Sequence, residues 1–544
     1  MSTVRTSAAA DAGLALAAVA MLWASTPPAW FAGAEFLVFG GWMAAYALLT
    51  RTAHPLRWGY VVGAAQILCF SFSLRHVLLP GWVAIGIVGG CYVLLAALLL
   101  RLRGMRHGPW TWALAVAGAQ WLRSNMPEMH YPHGQPCHAL WEWPLLLAPV
   151  RWGGEVLLNG WIGWIAAAAV DAWRGWRVGQ PGFEVASRRL VGAVLAWLLL
   201  AVAARQAAQG FTPAEGQPEA TLRVAAVEPG YHPARLGSAR GYAEAYRTRL
   251  LEPTRALLAR PNPPVLVLWP ESAHPGEVVQ AADGASRWEG RGWPLPELPG
   301  ETRLLLGALA VDATGRQTPA AVLLGGGGAL AGHHEKRMLV PAGEYVPFLT
   351  VLPAPAAQAV RDTVQAWMGA VPDNVFGSRR PLLVARGRTE VPFGAMLCFD
   401  NAFGWVGREA VADGARFLAV LSNEAWYEGG AELEQLLAMT VIRALETDTP
   451  VVRCTMDGLT AHVGRDGRVL GVLPKSTAPS PGPRVLEVEL EPGRGRLPAG
   501  AFLVRWCEVL LAVGWGLALW RHGRARPVAS AHPEISRSPD GRGS

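Results

Sequence analysis

Three short stretches hold residues whose types could do chemistry together. The run Val391-Pro-Phe-Gly-Ala-Met-Leu-Cys-Phe-Asp400 has strand character up to Cys398, then breaks into the polar pair Asp400 and Asn401 before a helix expected over about 403–413. A thiol at such a strand-to-helix turn is presented for attack and lies near N–H groups that favour a thiolate. A buried structural cysteine is the competing reading of that position. Val265-Leu-Val-Leu-Trp-Pro-Glu271 is a second buried strand, and it ends on a carboxylate. Glu335-Lys336-Arg-Met-Leu-Val-Pro-Ala-Gly-Glu344 follows a Gly-rich strand region and carries a lysine and a further carboxylate. Of 48 Lys and Arg residues only Lys336 and Lys475 are lysines. Arginine therefore serves wherever a plain positive charge suffices, and position 336 calls for a compact ammonium on a flexible stem.

A cysteine can attack a carbonyl and hold the acyl group as a thioester, which splits acyl transfer into two easier steps. It needs a base for its proton, and a carboxylate at a buried strand end, Glu271, suits that shuttle. The tetrahedral oxyanion needs donors, for which Lys336 and the backbone N–H after Cys398 are placed. Glu344 would orient Lys336. Taken singly, Glu271 and Glu344 also read as solvated carboxylates at loop starts.

Glu, Lys and Cys in this order, each just after a strand, resembles the nitrilase (carbon–nitrogen hydrolase) superfamily. Trp269-Pro-Glu271, Lys336-x-x-Leu-Val-Pro-x-Gly-Glu344-Tyr-Val-Pro347, Cys398 and Ser422-Asn423-x-Ala-Trp426 are similar to its membrane-embedded branch, the apolipoprotein N-acyltransferases. The resemblance implies an αββα sandwich and a Glu271/Lys336/Cys398 set with Glu344. Phe399, Asp400, Asn423 and Trp426 would support the site. It implies no metal and no cofactor. The expected donor is a glycerophospholipid and the expected acceptor the α-amino group of a diacylglyceryl-cysteine on an apolipoprotein. A membrane-anchored amidase, an N-acyltransferase for another amine, and a non-catalytic scaffold are the alternatives. The chain departs from the pattern at His334 (Tyr in the family), Phe399-Asp400 (Tyr-Glu), Glu424 (Asp) and Leu436 (His).

The elements that must position these residues divide in two. The chain of 544 residues is 51% hydrophobic and only 16% charged, against about 25% in a soluble domain, which points to membrane spans. Apolar segments of spanning length occur near 9–26, 31–50, 59–79, 82–100, 110–124, 153–172, 189–207 and 502–520, about eight spans at about 20 residues for a typical helix. Arg51 and Arg57, then Arg101, Arg103 and Arg106, then Arg174, Arg177, Arg188 and Arg189, then Arg521, Arg524 and Arg526 fall in loops on one face. The positive-inside rule makes that face cytoplasmic and the long insert extracytoplasmic. Arg75, Arg123 and Arg151 are exceptions, explained either by outer-leaflet phosphates or by the statistical nature of the rule.

The expected organisation is seven spans over 1–207, a catalytic α/β domain over 208–501, a last span over 502–520, and a disordered cytoplasmic tail over 521–544. The first span reads as retained, with a cleaved signal peptide the alternative. These expectations describe a multi-pass monomer of a bacterial inner membrane with its catalytic domain on the periplasmic side. The net charge of +7 reflects cytoplasmic arginines, and no nucleic-acid motif appears. Six scattered cysteines imply no disulfide framework. His130, His133, Cys137 and His138 are spaced to ligate a metal, with packing in a Pro-rich loop the opposing reading. The stretch from about 353 to 380 is a candidate lid.

Overall fold

The computed structural model describes every residue except 1–7, 103, 104, 106, 180, 181, 210–220, 388, 476–481 and 525–544. The expected disordered tail, apart from its first four residues, and Arg103, Arg106 and Arg526 lie outside the described residues.

The first part is helical: α1 (Ala8–Ser25), α2 (Leu37–Arg51), α3 (Pro55–Phe70), α4 (Leu74–Arg101), α5 (Pro109–Asn125), the single turn α6 (Pro144–Leu147), α7 (Val150–Val178) and α8 (Gly182–Gln209). A last helix, α14 (Leu503–Arg524), returns from the α/β part to pack on α7 and α5. Among the described residues five helices (α1, α4, α7, α8 and α14) are long and apolar enough to cross a membrane. The other three expected spans form α2, α3 and α5, with 15, 16 and 17 residues. Gly41 and Gly63 lie where an added Cβ would strike Leu22 and Val93, so small residues let these helices approach closely.

The second part is two stacked sheets. Its strands are β1 (Leu222–Glu228), β2 (Leu266–Leu268), β3 (Glu277–Gln280), β4 (Ser286–Glu289), β5 (Arg303–Val311), β6 (Gln317–Leu324), β7 (Leu330–Glu335), β8 (Leu383–Arg386), β9 (Glu390–Leu397), β10 (Leu418–Ser422), β11 (Val451–Thr455), β12 (Ala461–Val463), β13 (Val469–Val472) and β14 (Arg484–Leu490). Its helices are α9 (Ala239–Tyr246), α10 (Glu252–Leu258), α11 (Ala354–Met368), α12 (Gly404–Ala412) and α13 (Glu432–Thr447). One sheet runs β14-β1-β2-β5-β3-β4 with β6 and β7 added beyond β5, and the other runs β13-β12-β11-β10-β9-β8.

Alternate residues of β1, β2 and β5 meet those of β9, β10 and β11 between the sheets; Leu268, Leu305, Phe393, Leu397 and Leu421 are all fully buried there. The opposite faces are covered by α9 and α10 on the first sheet and by α12 and α13 on the second. This is the expected αββα arrangement. The cover of the second sheet belongs to the same apolar cluster as the membrane-type helices, so the two parts share one core.

Polar contacts fix the same junction. Ser73 N–H donates to Glu432, Gln435 to the Phe70 carbonyl at 2.8 Å, and Tyr345 to the Glu128 carbonyl at 2.8 Å. Arg123 donates to Gln120 and to the His133 carbonyl, and Arg151 reaches the Arg465 carbonyl and Asp448. Arg123 and Arg151 thus have internal partners, and the third positive-inside exception, Arg75, donates to the Phe72 carbonyl at 3.2 Å. Arg75 lies over the Phe72 ring at 3.5 Å. The stretch expected as a lid forms α11, a helix with no buried residue.

Candidate active site

Each of the four core residues owes its place to a local irregularity. Glu271 sits where the strand row beside β5 breaks, between β2 and β3. β2 and β3 both pair with the same edge of β5, through Leu266↔Arg303 and Glu277↔Leu309, and the chain leaves the sheet between them. Gly307 faces that gap: its N–H donates to the Pro270 carbonyl at 3.1 Å, and its carbonyl accepts from His274 N–H at 3.1 Å. A Cβ at 307 would stand 2.5 Å from the Glu271 Cα, so only glycine allows this close approach.

Lys336 follows β7 directly and is held by two backbone bonds, its N–H to Pro319 and its carbonyl from Gly377 N–H. Glu344 closes a tight turn in which its N–H donates to the Val340 carbonyl and its carboxylate accepts from Val340 N–H at 2.7 Å. Cys398 ends β9 with φ of +45°, the left-handed region that costs a non-glycine residue energy and is retained where the surroundings over-determine it.

The four converge. The Lys336 ammonium, 1% exposed, donates to Glu271 at 2.9 Å and to Glu344 at 2.7 Å. The second oxygen of Glu271 accepts from the backbone N–H of Asn423 at 3.1 Å, so Asn423 acts here through its main chain. Burial alone would lower the Lys336 pKa, but Glu271, Glu344 and Cys398 around it hold it well above the usual lysine value. Burial raises the Glu344 carboxyl, partly opposed by Lys336 and reinforced by Glu271. Burial also pushes the Cys398 thiol up, as does the Glu271 charge, while Lys336 and the Ser422 hydroxyl pull it down. Burial thus favours the protonated thiol, whose proton must leave as the substrate arrives.

The supporting residues have more varied places. Phe399 is buried and stacks against His130 and His133, with ring centroids 5.7 Å apart in each case, which ties the nucleophile turn to the α5–α6 loop. Trp426 is 42% exposed and packs edge-on against His232. The histidine loop is spread over separate partners: His130 to the Leu339 carbonyl and His138 to Glu155. Among the described residues no group of three or more His, Cys, Asp or Glu side chains is placed to hold a metal ion.

Asp400 does not reach into the site. One oxygen accepts from Arg337 and Met338 N–H at 3.0 and 2.8 Å, and the other from Leu397 N–H at 3.0 Å. It clamps the segment just after Lys336 to the residue just before Cys398. The missing methylene relative to Glu therefore shortens a backbone clamp rather than a catalytic arm.

Burial pushes Asp400 up to about 7, against the three N–H donors and Lys336. Protonation would aim an O–H at a backbone N–H, so acidification through about 7 should loosen the clamp and slow chemistry at Cys398. Asp400→Asn carries that donor–donor conflict at every pH. It is expected to lose the pH-dependent limb of activity, read by a pH–rate profile, whereas wild-type thermal stability rises on acidification below about 7 because the fold favours the neutral acid.

Sequence reasoning missed the buried Glu424–Arg453 ion pair behind the site, where Glu424 also accepts from Ser422 at 3.2 Å. An arginine inside the otherwise apolar strand Val451-Val-Arg-Cys454 was the available signal, since a buried guanidinium requires a partner.

A carbon–nitrogen hydrolase profile matches residues 202–479, just over half the chain. A Geobacter metallireducens protein named apolipoprotein N-acyltransferase is 31% identical over 217 residues, 39% of this chain and 38% of its own length. The match to that relative thus spans well under two thirds of its length. Proteins of the same name from Rhizobium meliloti and Gloeobacter violaceus are 25% and 29% identical over 82% and 79% of this chain, and over 78% and 76% of their own. A solved nitrilase-superfamily structure from Saccharomyces cerevisiae aligns at 14% identity over 53% of this chain and 94% of its own, with a TM-score of 0.32. With the profile match covering just over half the sequence, the chain belongs to the carbon–nitrogen hydrolase family.

Proposed function

We propose that the protein is an N-acyltransferase of lipoprotein maturation, anchored in a bacterial inner membrane with its α/β part on the periplasmic side. It moves a fatty acyl chain from a glycerophospholipid to the α-amino group of an N-terminal diacylglyceryl-cysteine. The observation that carries the reading is the Glu271–Lys336–Glu344 cluster beside Cys398, in a core continuous with membrane-type helices. The names of the relatives support the acceptor, and the arginine distribution supports the orientation.

In the first step Glu271 takes the Cys398 proton and the sulfur attacks the ester carbonyl. The oxyanion is met by the Lys336 ammonium and the Phe399 N–H. Collapse breaks the ester C–O bond, and the glycerol oxygen leaves with the proton from Glu271, as lysophospholipid. In the second step the acceptor amine attacks the thioester, Glu271 takes its proton, and the thiolate departs and is reprotonated. Phe399 and Asn423 hold the two reacting segments in place. Exposed Trp426, three residues along from Asn423, is the side chain assigned to contact an incoming lipid. No cofactor enters these steps, and a single chain is sufficient for them.

Intact mass of the detergent-purified protein after incubation with phospholipid tests the reading. A fatty-acyl increment is expected on the wild type, removed by hydroxylamine and absent from Cys398→Ala. Folded wild type that stays unmodified with several phospholipids would overturn the donor step and leave an amidase as the better reading.

A further inference from the structure

A cavity of about 1070 Å³ opens where α5, α7 and α14 meet α12 and α13. None of Glu271, Lys336, Glu344 and Cys398 lines it. The residues it takes from α5, α7 and α14 come from the ends of those helices that adjoin the α/β part. Since α7 and α14 are of spanning length, the cavity lies at the membrane boundary.

Four arginines and four glutamates line it, so its charges balance. Their pairing is incomplete at the innermost of them. Arg443 is 1% exposed, and a single guanidinium nitrogen, Nη2, makes both of its ionic contacts, to Glu155 at 2.9 Å and to Glu446 at 3.0 Å. Its Nε and Nη1 have no hydrogen-bond partner among the described residues. Arg408 is paired with Glu446 and keeps part of its side chain accessible. Buried guanidinium N–H groups call for acceptors, and the planar fork of arginine matches a phosphate.

The rim is aromatic. Phe502 and Trp506, at the start of α14, are 67% and 58% exposed, the placement of side chains that sit between water and hydrocarbon. A free anion would use the arginines, leave the rim idle and unbalance a neutral set of charges. A ligand with a phosphate, an ammonium and acyl chains meets all three features.

We propose that the cavity binds the head group of a zwitterionic glycerophospholipid. Its phosphate lies on Arg408 and Arg443, its ammonium faces Glu508, and its acyl chains leave past Phe502 and Trp506. This lipid is retained and not consumed, at a site separate from the one where Cys398 meets its acyl donor.

Full-length Cys398→Ala protein, which cannot be acylated at that position, is exchanged into detergent and titrated with dioleoylphosphatidylethanolamine. Lipids bound per chain are counted by native mass spectrometry. In that background Val156→Trp fills the cavity without changing a charge, and Arg408→Gln removes a phosphate donor. Val156→Trp is expected to lower the count by one, and Arg408→Gln to weaken the same site about tenfold, while lipid at the catalytic site stays. Dioleoylphosphatidylglycerol, which has the phosphate without the ammonium, is expected to bind the site about fivefold more weakly. Dioleoylglycerol, without the phosphate, is expected not to bind it.

An unchanged count in Val156→Trp overturns the proposal, because every bound lipid then lies elsewhere. Displacement of the lipid by inorganic phosphate overturns it too, since the cavity is then a site for the free anion. Equal binding of the two phospholipids overturns the zwitterionic assignment. Should one variant not fold, the other decides together with the head-group series. The count does not depend on acylation of Cys398, so failure here and failure of the donor step are distinguishable.

Discussion

Lys336→Arg is expected to slow formation of the acyl-enzyme by about a thousandfold while leaving the protein folded, although the charge is kept. The ammonium is 1% exposed and bonded to Glu271 and Glu344 at 2.9 and 2.7 Å, and it lies close enough to Cys398 to act on its ionisation. A lysine gives each carboxylate one proton and keeps a third for the oxyanion. The planar fork of arginine would pair with one carboxylate through two parallel bonds and displace the other.

Lys336→Met separates stability from chemistry. It leaves two buried carboxylates without a cation, at a cost of about 3–5 kcal/mol, so it should melt early as well as fail to react. The sign of the pH dependence follows from the raised pKa of Lys336. The pair's stabilisation is complete below the ordinary lysine value of about 10.4 and is lost only as pH rises above it. Rates of hydroxylamine-labile mass gain, measured beside melting curves, check both variants. An arginine variant reacting within about tenfold of wild type would show that Lys336 supplies charge and not a directed donor.

The scarcity of lysine makes this residue legible from the amino-acid sequence alone. In a chain that otherwise writes its positive charges as arginine, position 336 stands out, and Glu271 and Glu344 are findable as carboxylates ending apolar runs. The strands of the second sheet are equally plain, because β9, β10 and β11 are apolar runs bounded by turn residues. The edge pieces β3, β4, β12 and β13 are not. They are three or four residues long, too short for periodicity to register.

How Asp400 supports the site is not readable along the sequence for a related reason. A residue type beside a nucleophile suggests a reach into the site, whereas the bonds that define this side chain run to backbone groups 62 and 63 residues away in sequence. Glu424 and Leu436 look like defects against a family pattern. The fold gives the first a partner in Arg453 and uses the second through its carbonyl, and neither relation is visible along one dimension.

Glu271→Gln is expected to reduce both acylation and transfer by a factor of about 10³–10⁴ while sparing the fold. The carboxylate has two committed oxygens, one on Lys336 and one on the Asn423 N–H. Glutamine matches its size but offers one acceptor and one donor. Either its NH₂ group faces the ammonium or it faces the backbone N–H, so one of the two contacts is lost. More important, an amide cannot hold the Cys398 proton, and the thiol, already raised by burial, then has no base to ionise it.

The variant removes a negative charge that itself raises the Cys398 pKa, so its thiol should alkylate with iodoacetamide at a lower pH midpoint than wild type. More thiolate with less acyl transfer is the signature of a lost proton shuttle. A merely weakened site would lose both. If Glu271→Gln alkylates no more readily and still acylates at a wild-type rate, the proton passes through another group, and Glu344, held by the same ammonium, becomes the base to test.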